Sequence, residues 1–168
     1  VQIYLRASAM AGLRVVGIDC HIGSQITPEA PYMDAMDRML DLVQEIEAAG
    51  VPIRHLDFSG GLGINYNGDT PPQADLLWRK LLSKLDARGF GDRELMIEPG
   101  RSLVGNAGLL LTRVDVLKPG AEKHFAVVDA AMNDLMRPAL YDAWPDILKV
   151  MRHGITGGGP ADTPTARP

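Results

Sequence analysis

The sequence predicts an α/β fold in which parallel strands are connected by helices. Short apolar runs alternate with longer segments whose apolar residues recur at helical spacing. Each apolar run leads into a polar or glycine-rich cluster, so that the clusters come at the carboxyl ends of the predicted strands. Alternation of this kind is typical of parallel sheets, and both α/β barrels and doubly wound sheets bind ligands at that edge.

The first part of the chain contains a helix and then a strand–helix unit. A helix is predicted over residues 3–10, and Gly12 follows its end. The apolar run at residues 13–18 predicts a buried strand. The next helix is predicted over residues 32–49 and ends at Gly50. Its apolar residues share one face: Met33, Met36, Leu40, Val43 and Ile46.

The same unit is then repeated before the pattern changes. A second strand is predicted over residues 51–58, and a second amphipathic helix over residues 74–88. The short apolar run at residues 95–97 predicts a third buried strand. Beyond it, apolar or alternating runs at residues 109–117 and 124–129 predict an antiparallel β segment outside the first domain.

The composition restricts the classes of function. The 168 residues carry a formal net charge of −4, which argues against binding to nucleic acid. No apolar run approaches the roughly 20 residues that cross a bilayer, so we expect no membrane association. The single cysteine, Cys20, excludes an internal disulfide and favours a reducing compartment, from which we expect the cytoplasm. The chain starts without methionine, in what resembles the middle of a helix, and we expect it to be a fragment.

The turn after the third predicted strand carries two opposite charges. Residues 98–101, Glu-Pro-Gly-Arg, place a carboxylate and a guanidinium within four positions. Pro99 restricts φ, and Gly100 allows a ligand to approach the backbone closely. A Glu98–Arg101 ion pair that braces an ordinary turn is an equally simple interpretation.

The two preceding strand ends carry a histidine and a glycine cluster. His21 and Ser24 follow the first strand, and residues 60–63, Gly-Gly-Leu-Gly, follow the second. The glycine N–H groups suit a phosphate, although a plain tight turn explains them as simply. A dinucleotide-binding fingerprint fails at Tyr66, where it needs glycine. A lone histidine is typically structural, no neighbours complete a metal site, and Ser24 lacks the context of a serine hydrolase.

Taken together, the three strand ends suit a flat, charged, phosphorylated aromatic cofactor. The imidazole of His21 can stack on a ring. Ser24 and the backbone of Gly61 can hold a phosphate, and Glu98 can face a ring nitrogen.

Four motifs resemble, in order and spacing, the diaminopimelate decarboxylase family. They are His-Ile-Gly-Ser-Gln at residues 21–25, Gly-Gly-Leu-Gly at 60–63, Glu-Pro-Gly-Arg at 98–101 and Asp-Ala-Ala-Met-Asn-Asp-Leu-Met-Arg-Pro-Ala-Leu-Tyr at 129–141. The first three are shared with ornithine and arginine decarboxylases, and the fourth is characteristic of the diaminopimelate branch. The resemblance covers about residues 1–150.

The resemblance implies part of a TIM-like (β/α)8 barrel of the alanine-racemase type, followed by the start of a C-terminal antiparallel β-domain. Residues 1–105 would form the C-terminal half of the barrel that binds pyridoxal 5'-phosphate (PLP). Residues 106–150 would begin the β-domain and carry a substrate-binding loop. Residues 151–168 resemble no family segment, and their glycine, proline and threonine content predicts a disordered tail.

The resemblance also implies a role for each motif residue. His21 would stack on the pyridine ring, and Glu98 would keep the pyridine nitrogen protonated. Ser24, the backbone of Gly61 and the Gly100–Arg101 segment would bind and close the phosphate site. The residues assigned to the cofactor are thus His21, Ser24, Gly61, Glu98, Gly100 and Arg101. The residues assigned to the substrate carboxylates are Arg101, Arg137 and Tyr141, since a planar guanidinium is a suitable donor.

The implied reaction is the decarboxylation of meso-diaminopimelate to L-lysine and CO₂ by a homodimer. Two family elements are missing from this sequence: the lysine that forms a Schiff base with PLP, and a Cys-Glu-Ser-Gly segment that supplies an acid–base cysteine. Lys80 and Lys84, for example, belong to a predicted helix. We therefore expect the 168 residues alone to be inactive, with none of the acid–base or aldimine residues present.

Two departures from the family pattern are expected to be tolerated. Ser59 replaces the first of three glycines, and Asp19 stands where many members have histidine. Two other functions remain open. One is decarboxylation of another basic amino acid, such as ornithine or arginine, and the other is a non-catalytic product that binds ligands or dimerises.

Overall fold

The computed structural model describes residues 1–66, 68–143 and 145–150. The helices are α1 Gln2–Ser8, α2 Ala30–Ala48, α3 Ala74–Ala87, α4 Gly100–Val104 and α5 Arg137–Tyr141. The strands are β1 Gly17–Asp19, β2 His55–Asp57, β3 Glu94–Met96, β4 Val114–Lys118 and β5 Phe125–Val128. No helix in this described part is both long and apolar enough to span a membrane. Residues 151–168, for which disorder was predicted, lie outside the described residues.

Strands β1, β2 and β3 form one parallel sheet in that order, and α2 and α3 connect them. This confirms the predicted alternation of parallel strands and helices. The register aligns Gly17 with His55, and the next position in each strand then forms a row across the sheet. That row consists of Ile18, Leu56 and Leu95.

The hydrophobic core lies between this row and the two helices. Leu56, at the centre of the sheet, is fully buried, and Ile18 is 8% exposed. The buried residues of the helices recur at helical spacing: Tyr32, Met36, Met39, Leu40, Val43 and Ile46 in α2, and Leu77, Leu81 and Leu85 in α3. Removal of these side chains from water is the main contribution that stabilises this part of the fold.

The strand predicted at residues 95–97 is present as β3, but the prediction that this strand is buried was wrong. Met96 is 43% exposed, Ile97 is 39% exposed and Leu95 is only half-buried. Strand β3 pairs on one side with β2, and a strand that packs on one face buries only every second residue. Leu13, in the first predicted strand, is likewise 55% exposed, and β1 starts four residues after it.

Strands β4 and β5 form a separate antiparallel pair, as predicted. Val114 is aligned with Val128, and Lys118 with Phe125. Every residue of β4 is exposed, and residues 109–113 are not part of the strand. The pair therefore contributes nothing to the core between the sheet and α2 and α3.

Candidate functional site

The loops after β1, β2 and β3 meet at the carboxyl edge of the sheet, because neighbouring parallel strands in register end at the same edge. Backbone hydrogen bonds connect them. The N–H of Ile26 donates to the carbonyl of Gly61 at 2.9 Å, and the N–H of Glu98 donates to the carbonyl of Ser59 at 2.8 Å. The predicted cofactor residues are thus carried by loops that bond to one another.

Two glycines allow the loops to approach this closely. A Cβ on Gly60 would lie 2.0 Å from the carbonyl oxygen of Glu98. A Cβ on Gly61 would lie 2.3 Å from the carbonyl oxygen of Gly23, and φ of Gly61 is +84°. Within the described residues the N–H of Gly61 makes no hydrogen bond, so that it is available to a ligand. The cluster is therefore a packed turn that also offers a donor.

A serine connects the predicted ring-binding residues. The hydroxyl of Ser59 lies 2.6 Å from Nδ1 of His21 and donates to Oε2 of Glu98 at 3.1 Å. Ser59 is 2% exposed, whereas His21 and Glu98 are both exposed. The imidazole and the carboxylate thus share one buried hydroxyl, although both residues are themselves exposed to solvent.

The role of Ser59 was not predicted from the sequence, in which it counted only as a tolerated replacement of glycine. Its φ of 54° is in the left-handed region, where a residue with a side chain is strained. The N–H of Ser59 donates to Oδ1 of Asp57 at 2.7 Å, which holds this conformation. A signal was available, because a hydroxyl had replaced a glycine between the His21 and Glu98 loops.

Arg101 interacts with the first loop and not with Glu98. Its guanidinium donates to Oγ of Ser24 at 2.7 Å and to Oε1 of Gln25 at 2.9 Å. It also lies over the ring of Tyr66, with Cζ 5.8 Å from the ring centroid. No ion pair joins Glu98 and Arg101 in the part of the chain that the structure describes. The interpretation of this turn as a simple ion pair was therefore wrong.

Gln25 is a second residue whose role was not predicted from the sequence. Its Nε2 donates to the carbonyl of Ile64 at 2.6 Å, and its Oε1 accepts from the N–H of Ile64 at 3.2 Å. The same Oε1 accepts from Arg101, so that Gln25 fixes the guanidinium against the second loop. Its position inside the motif at residues 21–25 could have marked Gln25 as a site residue. No residue pattern, however, indicates that it contacts Arg101 and Ile64.

Gly100 begins α4 directly after the Glu98–Pro99 turn. The N–H of Gly100 donates to the carbonyl of Glu98 at 2.9 Å. A Cβ on Gly100 would meet no atom within 4 Å, so that the space beside this residue is open. This position leaves room for a ligand next to the turn.

Arg137 and Tyr141 lie apart from this cluster in the hydrogen-bond network of the described residues. Both belong to α5, where Cζ of Arg137 lies 5.6 Å from the centroid of the Tyr141 ring. Tyr141 is 67% exposed. The structure therefore brings together His21, Ser24, Gly61, Glu98, Gly100 and Arg101, and it does not join the two α5 residues to them.

Burial changes the acidity of two groups near the sheet edge. The pKa of the Cys20 thiol is raised, first by burial and then by the carboxylates of Asp19 and Asp57. This thiol is therefore a poor nucleophile near neutral pH. Burial raises the pKa of Tyr32 to about 12, and its hydroxyl lies 3.5 Å from the carbonyl of Gly60.

The donors and acceptors at this edge fit PLP in their chemistry. An imidazole ring can stack on a pyridine ring, and a carboxylate with one oxygen engaged by a hydroxyl can accept from a pyridinium N–H. A guanidinium, a serine hydroxyl and a glycine N–H are suitable donors to a phosphate. All of these groups lie on the three mutually bonded loops.

Residues 1–105 match the sequence model of the pyridoxal-dependent decarboxylases, pyridoxal binding domain. The diaminopimelate decarboxylases of Vibrio cholerae and Pseudomonas aeruginosa are each 51% identical over 88% of this chain. These matches cover 35% of either relative, so that the chain spans about a third of their length.

Solved structures of similar proteins agree with this similarity to decarboxylases. Diaminopimelate decarboxylase of M. jannaschii, in co-complex with L-lysine, has a TM-score of 0.74 at 37% identity, over 86% of this chain and 34% of that one. SrLDC in complex with PLP and cadaverine has a TM-score of 0.73 at 27% identity, and the match covers 86% of this chain and 37% of that one. The predicted fold, part of a TIM-like barrel followed by an antiparallel β segment, is confirmed. Since the family model covers more than half of the chain, this protein belongs to the pyridoxal-dependent decarboxylase family.

Proposed function

We propose that the complete protein is a PLP-dependent decarboxylase that converts meso-diaminopimelate to L-lysine and CO₂. The observation that carries the proposal is the His21–Ser59–Glu98 bridge next to the Ser24–Arg101 pair. Groups whose chemistry suits a pyridine ring and a phosphate thus lie at one sheet edge. The names of the relatives at 51% identity support the choice of substrate.

Each residue of the edge has a role that follows from its chemistry. When bound there, PLP would supply an electron sink for the electron pair that remains when CO₂ leaves the substrate. Glu98 would accept a hydrogen bond from the protonated pyridine nitrogen and so keep the proton on that nitrogen, and the ring of His21 would pack on the pyridine. Ser24, Arg101 and the N–H of Gly61 bind the phosphate.

For the substrate we propose Arg101, Arg137 and Tyr141 as ligands of the carboxylates. Arg137 makes no ion pair with any other residue of the described ranges, and its guanidinium is held against the Tyr141 ring. A stacked guanidinium loses little side-chain freedom when it binds a carboxylate, which favours this role.

Two of the lysines in the described residues are paired with carboxylates. Lys80 pairs with Glu29 at 2.8 Å, and Lys84 pairs with Asp37. Both lie on α3. We therefore propose that the 168 residues alone bind PLP weakly and reversibly, with no covalent bond to a lysine and no decarboxylation. Treatment with PLP and borohydride should leave the chain without a stoichiometric lysine adduct, and a single-site adduct would contradict this.

The remaining proposals concern the complete protein in the cell. It acts as a homodimer in the cytoplasm, and residues 1–105 are the C-terminal half of its barrel. The single cysteine in a chain of 168 residues supports a reducing compartment. A decarboxylase of another basic amino acid is the second candidate, since SrLDC is similar at 27% identity, well below the 51% of the diaminopimelate enzymes.

The test is Glu98→Gln in the complete protein, with Glu122→Gln as the matched control. Glu122 is an exposed residue between β4 and β5. An amide cannot hold the pyridine proton, so kcat for lysine formation should fall by about 100-fold or more in the first variant, as for other lost electrostatic groups. The control should retain kcat. Equal kcat values in both variants would contradict the role of Glu98, and CO₂ release from ornithine or arginine but not from diaminopimelate would select the second candidate.

A further inference from the structure

We propose that Ser59 is a positioning residue that fixes the tautomer of His21 and orients both His21 and Glu98 toward the cofactor. The inference rests on the proposed function, because it concerns the same site. Ser59 is only 2% exposed. A buried hydroxyl needs its hydrogen bonds satisfied, and here both partners are site residues.

The number of protons determines the direction of the two hydrogen bonds. A hydroxyl has one proton, and an ionised carboxylate can only accept. The Ser59 proton therefore goes to Oε2 of Glu98, at 3.1 Å. The contact of 2.6 Å between the Ser59 oxygen and Nδ1 of His21 then requires a proton on Nδ1. In the neutral imidazole, Nε2 is left with a lone pair.

The backbone of Ser59 is strained in the conformation that places the hydroxyl between these partners. Its φ is 54°, which glycine adopts readily and serine does not. Asp57 holds the N–H at 2.7 Å, and the N–H of Glu98 holds the carbonyl at 2.8 Å. Glycine would satisfy the backbone equally well, so that the strain is explained by what the hydroxyl does.

The arrangement has two consequences for the cofactor. The bond at Nδ1 restricts the rotation of the His21 ring, which the proposed function places against the pyridine. The bond at Oε2 fixes the Glu98 carboxylate, and its Oε1 makes no hydrogen bond within the described residues. One oxygen thus stays available to a pyridine N–H.

The experiment uses the complete protein without cofactor, labelled with ¹⁵N at histidine, at about pH 8.5, where imidazoles are ordinarily neutral. The variants are Ser59→Ala, Ser59→Gly and the control Ser83→Ala, which changes an exposed serine of α3. The ¹⁵N shifts of His21 should show Nδ1 protonated in the wild type and in the control. Both Ser59 variants should lose this form. Glycine adopts the φ of 54° at this position readily, so that Ser59→Gly removes the hydroxyl without backbone strain. It replaces Ser59→Ala in the test if the alanine variant folds poorly.

The second measurement is the dissociation constant of PLP from the same proteins. It should rise about five- to tenfold in both Ser59 variants, the scale of one lost hydrogen bond, while Ser59→Gly keeps the unfolding midpoint of the wild type. A wild-type His21 protonated on Nε2, or a Ser59→Gly variant with unchanged tautomer and PLP affinity, would overturn the proposal. If the wild type bound no PLP, the proposed function and the cofactor role of Ser59 would both fail. The ¹⁵N measurement of the His21 tautomer, made without cofactor, would still show whether Ser59 bonds to protonated Nδ1.

Discussion

Replacement of Gly60 by alanine tests whether the close approach of two loops positions Glu98. The added Cβ would lie 2.0 Å from the carbonyl oxygen of Glu98 and 3.0 Å from its carbonyl carbon. Both are backbone atoms, which cannot rotate away as a side chain would. Gly60 is not among the residues with positive φ. The substitution therefore changes this contact and leaves the preferred backbone conformation intact.

The size of the effect follows from the distance. Ordinary van der Waals contact for a Cβ begins at 3.4 Å, so that the separation must grow from 2.0 Å to at least that value. The loop that carries Glu98 must then move by more than about 1 Å, and a displacement of that size can lower a rate by about 100-fold. Overpacking of this kind also lowers the free energy of unfolding by about 1–3 kcal/mol.

The assay measures kcat/KM for lysine formation and the dissociation constant of PLP in the complete protein. Gly108→Ala is the matched control, since a Cβ there meets no atom within 4 Å and its φ is not positive. Gly60→Ala should lose about 100-fold in kcat/KM and bind PLP more weakly. The control should stay within about twofold of the wild type, since its added methyl meets no neighbour. If both variants matched the wild type in PLP affinity and kcat/KM, the loop contact would have no part in positioning Glu98.

Two further predictions concern stability. Leu56→Ala, at the fully buried centre of the sheet, should lower the free energy of unfolding in urea by about 2–5 kcal/mol. Leu82→Ala, at a residue 46% exposed on α3, should change it by less than about 0.5 kcal/mol, and equal losses would contradict the assigned core. The N–H of Arg113 and the hydroxyl of Thr112 donate hydrogen bonds to the Asp129 carboxylate and lower its pKa. These hydrogen bonds therefore stabilise the β4–β5 pair above the unfolded-state pKa of Asp129. Their contribution is lost as the pH falls through its folded-state pKa. The amide shift of Arg113 should therefore titrate below the ordinary aspartate pKa of about 3.9, and the titration should vanish in Asp129→Asn; a midpoint above that value would refute the assignment.

The helices were determined by local sequence. The apolar spacing predicted α2 over residues 32–49, and the helix spans Ala30–Ala48. The prediction for α3, residues 74–88, agrees with Ala74–Ala87. Both agreements have the same cause, since the buried face of a helix repeats every 3.6 residues within a single segment. The alternation of strands and helices likewise predicted parallel pairing.

The exposure of the strands was decided by tertiary structure. The apolar run at residues 95–97 contains no information about which strand pairs with each edge of β3. Burial of a strand depends on neighbours far away in the sequence, as for His55, which is aligned with Glu94. An apolar run alone therefore predicted burial where Met96 and Ile97 are exposed.

In the candidate site, too, some features followed from the sequence and others were decided by the tertiary structure. The motifs predicted that His21, Ser24, Gly61, Glu98, Gly100 and Arg101 gather at one sheet edge, and the structure places them on three mutually bonded loops. It also decided that Arg101 bonds to Ser24 and not to Glu98, and that Ser59 joins His21 to Glu98. The bonded pairs are separated by 77, 38 and 39 positions in the chain. Such partners are set by the register of parallel strands and by how closely their loops approach, and no local pattern of residues contains either quantity.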